Sequence, residues 1–134
     1  IWNSNNKKVY LGHTRLSIID PNQSSNHPLI DNKNNLVITY NGELYNYIEL
    51  KKEHNIETIT DSDTEVLLRM YMKYGADSLQ YFNGMFSFII YNKITKDVFV
   101  ARDRLGIKPL YVYEKNNELI YSSEISSILN IYSS

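Results

Sequence analysis

The chain has 134 residues, of which 43% are apolar and 22% are charged, and its 14 basic and 15 acidic residues give a net charge of −1. This length and apolar fraction are sufficient for one domain with a hydrophobic core. No basic excess is present to neutralise a phosphate backbone, and no apolar run is long enough to span a membrane. The absence of cysteine excludes disulfides and thiolate metal sites. We therefore expect a cytoplasmic protein with neither nucleic acid nor membrane as a partner.

The first residues predict a hairpin. Ile1 and Trp2 lead into a turn-like segment over residues 3–6, and an apolar run follows over residues 9–11. A turn of this kind connects two strands, and only two residues are present before it to form the first strand. Either the sequence begins part-way through a strand pair, or these residues are a frayed natural terminus.

Extended patterns continue along the chain. Alternation over residues 15–19 predicts a strand, which a loop rich in Asn, Ser and Pro follows over residues 21–35. A second strand is predicted over residues 36–40. Asn41 and Gly42 are expected to end it, because this pair favours tight turns.

Helical patterns occupy the middle of the chain. A short helix is predicted over residues 45–53, and a longer helix begins at Ser62, which forms a capping-box pattern with Glu65 and ends at Gly75. One face of the longer helix carries Leu67, Met70, Tyr71 and Tyr74. Four strands and a final helix are then predicted over residues 85–91, 98–101, 110–113, 119–122 and 123–130. Strands, then helices, then strands indicate one α+β domain.

Four polar segments carry possible chemistry, and each has a structural alternative. Arg15 either forms a buried ion pair or presents its guanidinium to a ligand carboxylate. The Asn41 amide and the Gly42 N–H either form an oxyanion hole or belong to an ordinary turn. Asp63 either complements the helix dipole or binds a ligand ammonium group. The charges over residues 101–111 predict a structured turn with internal ion pairs rather than a catalytic site.

In this order and spacing, the motifs resemble the glutaminase (class II glutamine amidotransferase) domain of the asparagine synthetase family. The matching segments are residues 12–20, 41–47, 62–68, 83–86, 101–111 and 123–125. The resemblance implies a partial glutamine amidotransferase type 2 domain over residues 1–134. It also implies an N-terminal-nucleophile hydrolase fold, a four-layer αββα sandwich of two antiparallel sheets, which here lacks its first strands.

The resemblance further implies a role for each ambiguous residue. Arg15 would hold the α-carboxylate of glutamine, while Glu43 and Asp63 would bind its α-ammonium group. Asn41 and Gly42 would stabilise the oxyanion. The backbone beside Arg15 that would line the pocket comprises Leu16, Ser17, Ile18 and Ile19. No metal ligand is implied.

The family nucleophile is a cysteine at the first position of the mature chain, whereas this sequence starts with Ile1 and has no cysteine. The resemblance therefore implies that the family's catalytic strand precedes Ile1 and that an ATP-dependent synthetase domain follows Ser134. We expect no cofactor in this chain, and ATP and Mg²⁺ in that domain. The expected partners are glutamine and the synthetase domain in cis, with a homodimer as an option for assembly.

Three functions stay open. In the first, the parent protein is an asparagine synthase that hydrolyses glutamine to glutamate and ammonia and passes the ammonia to an ATP-activated aspartate. In the second, the parent protein delivers ammonia to another carboxylate, such as a sugar acid in polysaccharide synthesis. The third alternative is a module without a nucleophile that binds glutamine or a partner. In all three cases we expect the chain alone to be inactive, because nothing in it can form a thioester.

Overall fold

The structure is a computed structural model that describes residues 1–6, 8–13 and 28–132. Its strands are β1 (Trp2–Asn3), β2 (Tyr10–Leu11), β3 (Leu29–Asp31), β4 (Leu36–Leu44), β5 (Gly84–Asn92), β6 (Val98–Arg102), β7 (Tyr111–Lys115) and β8 (Glu118–Ser122). Its helices are α1 (Tyr47–Glu53), α2 (Asp63–Tyr74) and α3 (Ile125–Tyr132), with a 3-10 segment over Gly75–Tyr81 directly after α2.

All strand pairs in the described residues are antiparallel. A central sheet has the order β3-β4-β5-β6, and β1-β2 and β7-β8 form two separate hairpins. Strand β4 pairs with β5 along its whole length, from Leu36 opposite Asn92 to Leu44 opposite Gly84. Strand β3 covers the other edge of β4 only as far as Ile38. The second half of β4 therefore has a free edge within the part of the chain that the structure describes.

The central sheet buries apolar side chains on both faces because successive residues of a strand point in opposite directions. Even-numbered residues of β4 and β5 face the helices and form the main core, to which α2 contributes Val66, Leu67, Leu68 and Met70. On the opposite face Val37 packs with Leu11 and Tyr91, and the Trp2 ring lies 5.5 Å from the Tyr91 ring. The β1-β2 hairpin thus covers the second face.

The β7-β8 region reaches the same second face. The Ser87 hydroxyl of β5 donates a hydrogen bond to the Pro109 carbonyl at 3.4 Å, just before β7. Helix α3 contacts β8 and buries Ile128. The layers are therefore α1 and α2, the central sheet, the two hairpins and α3, which confirms the predicted α+β sandwich.

Two predictions about extended segments are wrong in detail. Asn41 and Gly42 do not end β4, which continues to Leu44, because β5 pairs with it through this point without interruption. Part of the predicted loop forms β3, which pairs with β4 through a tight turn in which Asn35 adopts a positive φ of 58°. The strand predicted over residues 15–19 lies outside the described residues.

The helix predictions are confirmed apart from their ends, and α3 covers Ile125–Tyr132 rather than residues 123–130. Helix α1 begins at Tyr47 rather than at residue 45. Ser62 is the N-cap of α2, where its side chain accepts a hydrogen bond from the Thr64 N–H at 3.2 Å. Glu65 does not complete a reciprocal capping box, because its carboxylate accepts instead from the N–H groups of Ile59 and Thr60. No helix in the described ranges is sufficiently long and apolar to cross a membrane.

Candidate functional site

Asp63 joins the start of α2 to the end of β4. Its Oδ2 atom accepts hydrogen bonds from the Tyr40 hydroxyl and from the Leu44 N–H, each at 2.9 Å. The side chain is buried, with 6% of the residue exposed. The helix N-terminus and these two donors offset the cost of burying the charge. Asp63 is therefore fixed against the strand that carries Asn41 and Gly42.

Tyr40 is held in its neutral form. Burial raises the pKa of its hydroxyl far above the usual value, and the negative charge of Asp63 raises it further. A hydroxyl that stays protonated remains a donor to the carboxylate at every physiological pH. The Tyr40–Asp63 hydrogen bond is therefore a permanent feature of the fold.

The direction of the Gly42 N–H follows from the bond that Leu44 makes. Along an antiparallel strand, backbone N–H groups alternate between the two edges. The Leu44 N–H points away from β5, since it donates to Asp63. The Gly42 N–H, two residues earlier, must therefore point to the same edge, which β3 does not cover. The two N–H groups are about 6.6 Å apart along the strand.

Glycine at position 42 is required by the close approach of β5. Its φ is +153°, and a Cβ added there would lie 2.1 Å from the Met85 carbonyl oxygen. Gly84 on β5 has the reciprocal contact, because its added Cβ would lie 2.2 Å from the Glu43 carbonyl oxygen. The two glycines allow the strands to approach closely beside the candidate site.

Asn41 lies on the face of β4 that is opposite the helices. It is half-buried, it pairs with Ser87 of β5, and it lines a pocket between the central sheet and the two hairpins. The other polar residues that line this pocket include His13, Thr39, Ser87, Ser122 and Ser123. Glu43 follows on the same face and is exposed. The Asn41 amide and the Gly42 N–H thus lie at consecutive positions beside a polar cleft.

The structure describes only part of the predicted glutamine site. Arg15, Leu16, Ser17, Ile18 and Ile19 lie outside the described residues. The expected approach of the Arg15 guanidinium to the Asp63 carboxylate therefore stays a prediction.

Within the described ranges, Tyr40 lies between Asp63 and the pocket that Asn41 lines. Tyr40 lines the same pocket as Asn41, and its hydroxyl bonds Asp63. Asp63 itself is absent from the described residues that line this pocket. The Tyr40 side chain lies in the core on the helix side of β4, so its hydroxyl holds the Asp63 carboxylate on that side, whereas the pocket lies on the opposite face of the sheet.

Asn46 supports the segment after β4, a role that the sequence analysis did not assign. Its Oδ1 accepts from the Asn83 N–H at 3.0 Å, and its Nδ2 donates to the Tyr81 carbonyl at 2.9 Å. The Tyr45 N–H also donates to the Asn83 carbonyl at 2.8 Å. These bonds fix the chain between Glu43 and α1 against the start of β5.

The charged turn after β6 is structural, but the predicted ion pairs are wrong. The Asp103 carboxylate accepts four backbone N–H groups, and the Arg102 guanidinium donates to the carbonyls of Gly106 and Lys108. Arg104 donates to the carbonyls of Phe82 and Leu79. None of these three charges forms a salt bridge with another described residue. Backbone groups satisfy them instead.

Comparisons with known proteins identify relatives of this chain. A family model for the glutamine amidotransferase domain matches residues 1–133. A putative glutamine-hydrolysing asparagine synthetase of Methanocaldococcus jannaschii is 42% identical, over 98% of this chain and 28% of that protein. Asparagine synthetase 1 of Bacillus subtilis is also 42% identical, over 90% of this chain and 20% of that protein.

A solved structure shows the same fold. The glutamine phosphoribosylpyrophosphate amidotransferase of B. subtilis aligns with a TM-score of 0.72 and 25% identity, over 87% of this chain and 28% of that one. The chain thus spans between a fifth and three tenths of the length of these relatives. Because the family model matches nearly every residue, this chain belongs to the glutamine amidotransferase domain family.

Proposed function

We propose that this chain is the glutamine-binding part of a glutaminase domain, and that its parent protein is a glutamine-hydrolysing asparagine synthetase. The observation that carries the proposal is the arrangement at the end of β4. There Asp63 is anchored to Leu44, and the Gly42 N–H points to the same strand edge. A negative group and an N–H donor are thus presented within the span of one amino acid.

Each residue of the proposed site then has a defined task. The Asp63 carboxylate binds the α-ammonium group of glutamine, and Glu43 adds a second negative charge beside it. The Gly42 N–H and the Asn41 amide donate to the side-chain carbonyl oxygen as it becomes an oxyanion. Arg15, with the backbone of residues 16–19, binds the α-carboxylate at the other end.

The nucleophile is not supplied by these 134 residues, because they include no cysteine. In the parent protein a thiolate would attack the amide carbon and the C–N bond would break. Ammonia would leave, and water would then hydrolyse the thioester to glutamate. The chain alone therefore binds glutamine without hydrolysing it. ATP and Mg²⁺ would be used by a synthetase domain in cis to activate the acceptor carboxylate, which we propose to be aspartate.

Calorimetric titration of the chain with L-glutamine tests this proposal. We expect saturable binding of L-glutamine and no ammonia release. Replacing Asp63 with Asn should weaken binding about 10- to 100-fold, because it removes a charged hydrogen-bond partner worth roughly 1.5–3 kcal/mol. Asn keeps one oxygen that can accept from Tyr40 and Leu44, and a circular dichroism spectrum verifies that the variant is folded.

Asp61→Asn is the matched control. Asp61 is two residues away, its side chain is 97% exposed, and its one salt bridge with a described residue is a 3.9 Å contact with Lys51. It should therefore leave glutamine affinity unchanged. Equal glutamine affinity in the Asp63→Asn variant and the unmodified chain would contradict the proposed site. Ammonia release from the purified chain would contradict the proposal that the chain alone binds glutamine without hydrolysing it.

A further inference from the structure

The Tyr40 hydroxyl makes a hydrogen bond that packing in the apolar core does not require. The residue is 3% exposed and belongs to the apolar cluster between the central sheet and the helices. Phenylalanine would fill the same ring volume. The hydroxyl is instead aimed at Asp63, which is 23 positions away in sequence and lies 2.9 Å from it. A buried hydroxyl requires a partner, and here that partner is the carboxylate of the candidate site.

Both hydrogen bonds of Asp63 end on the same oxygen. The Tyr40 hydroxyl and the Leu44 N–H donate to Oδ2, whereas Oδ1 accepts none from the residues that the structure describes. Two donors on one oxygen fix the rotation of the carboxylate about its Cβ–Cγ bond. The other oxygen is therefore held in one direction, with its accepting capacity available to a ligand.

We propose that Tyr40 is a positioning residue that orients the Asp63 carboxylate toward the α-ammonium group of the ligand. The inference rests on the proposed function, and it goes further by assigning selectivity for an ammonium-bearing ligand to a residue that does not touch the ligand. Tyr40 has this effect through orientation alone. Loss of its hydroxyl leaves the charge of Asp63 in place but allows the carboxylate to rotate.

A pair of ligands separates orientation from general stability. L-Glutamine carries the α-ammonium group, and 4-carbamoylbutanoate is the same molecule without it. If Tyr40 orients Asp63, the Tyr40→Phe substitution should weaken glutamine binding about five- to tenfold, as expected for the loss of one hydrogen bond of ordinary strength. Binding of 4-carbamoylbutanoate should not change. The ratio of the two affinities, measured by calorimetry, is the readout.

Tyr74→Phe is the matched control. It also removes one hydroxyl that makes a 2.9 Å hydrogen bond, in this case with His54 Nδ1, at a site remote from Asp63. It should leave the affinity ratio unchanged. In an Asp63→Asn background the Tyr40→Phe substitution should have no further effect on the ratio, because the oriented group is already absent.

The Leu44 amide gives a second readout in the unmodified chain, and it does not depend on the folding of any variant. Because this N–H donates to the same carboxylate, its NMR resonance should shift on addition of glutamine and remain in place on addition of 4-carbamoylbutanoate. Equal shifts with both ligands, or an equal loss of both affinities in Tyr40→Phe, would overturn the positioning role. Failure of the unmodified chain to bind glutamine would instead overturn the proposed function, and the positioning role with it.

Discussion

Asp103 is expected to contribute more to stability than any other charged residue of the turn after β6. It is 7% exposed, and its Oδ1 accepts from the N–H groups of Leu105 and Ile107, at 3.2 and 2.8 Å. Its Oδ2 accepts from Phe86 and Lys108, at 3.2 and 3.0 Å. Replacement by Asn converts one oxygen into an NH₂ group, so at least two backbone donors lose their acceptor. At roughly 1–3 kcal/mol for each unsatisfied donor, the cost is about 2–6 kcal/mol.

Urea unfolding measures this cost. With a slope of about 1–3 kcal/mol per molar urea, a loss of about 4 kcal/mol lowers the midpoint by more than about 1 M. Asp77→Asn is the control, because Asp77 is exposed and its side chain makes no hydrogen bond or salt bridge with a described residue. Equal midpoints for the Asp103 and Asp77 variants would refute the reasoning.

The ionisation of Asp103 should also make the stability of the fold depend on pH. Burial raises the pKa of Asp103, but the hydrogen bonds from the four N–H groups outweigh burial and lower its pKa below the usual range. A carboxylate with a lowered folded-state pKa stabilises the fold above its unfolded pKa of about 3.9, and this contribution is lost as the pH falls through the folded-state value. The stability difference between the unmodified chain and Asp103→Asn should therefore be complete at pH 7 and shrink below about pH 4.

Two further substitutions test the packing around the candidate site by urea unfolding. Gly42→Ala should destabilise the chain more than Gly75→Ala. A Cβ at Gly42 meets backbone at 2.1 Å, whereas one at Gly75 (φ +59°) meets nothing within 4 Å. Equal losses of unfolding free energy in the two variants would show that β4 and β5 can move apart without cost. Arg69→Ala should lower the free energy of unfolding by about 3–5 kcal/mol, because Arg69 bridges the buried carboxylates of Asp31 and Glu65. A decrease below about 1 kcal/mol, the value for surface pairs, would contradict a buried network.

Local signals predicted the helices well. Ser62 and Gly75 mark the ends of α2 through interactions within a few residues, and the apolar face between them faces the core as expected. Such features depend on neighbours in sequence, so a single sequence contains the necessary information. Strands β5, β6 and β8 were likewise evident from their short apolar runs.

Features that depend on distant partners were not predictable in the same way. An Asn-Gly pair is typical of turns, whereas Gly42 lies within β4 because β5 pairs with it there, with Phe86 opposite Gly42. Tyr40 had no predicted role, since its hydrogen-bond partner is 23 positions away. The charges beside Asp103 indicated ion pairs, whereas their actual partners are backbone groups. Because every residue has a backbone, the sequence does not indicate which backbone groups these will be.

The resemblance to a family assigned roles where local patterns left alternatives. Asp63 alone is explained by the helix dipole, and its hydrogen bonds to Tyr40 and Leu44 are compatible with both a structural and a binding role. The geometry adds one independent fact, which is that the Gly42 N–H and Asp63 share one edge of β4. This edge is where the predicted ligand would lie.

A structure of the chain with bound L-glutamine tests the central claim most directly. The account predicts a glutamine whose α-ammonium group lies within hydrogen-bond distance of Asp63 Oδ1 and whose side-chain carbonyl oxygen lies within hydrogen-bond distance of the Gly42 N–H. A glutamine bound elsewhere, or an Asp63 carboxylate that makes no contact with the bound molecule, would contradict it.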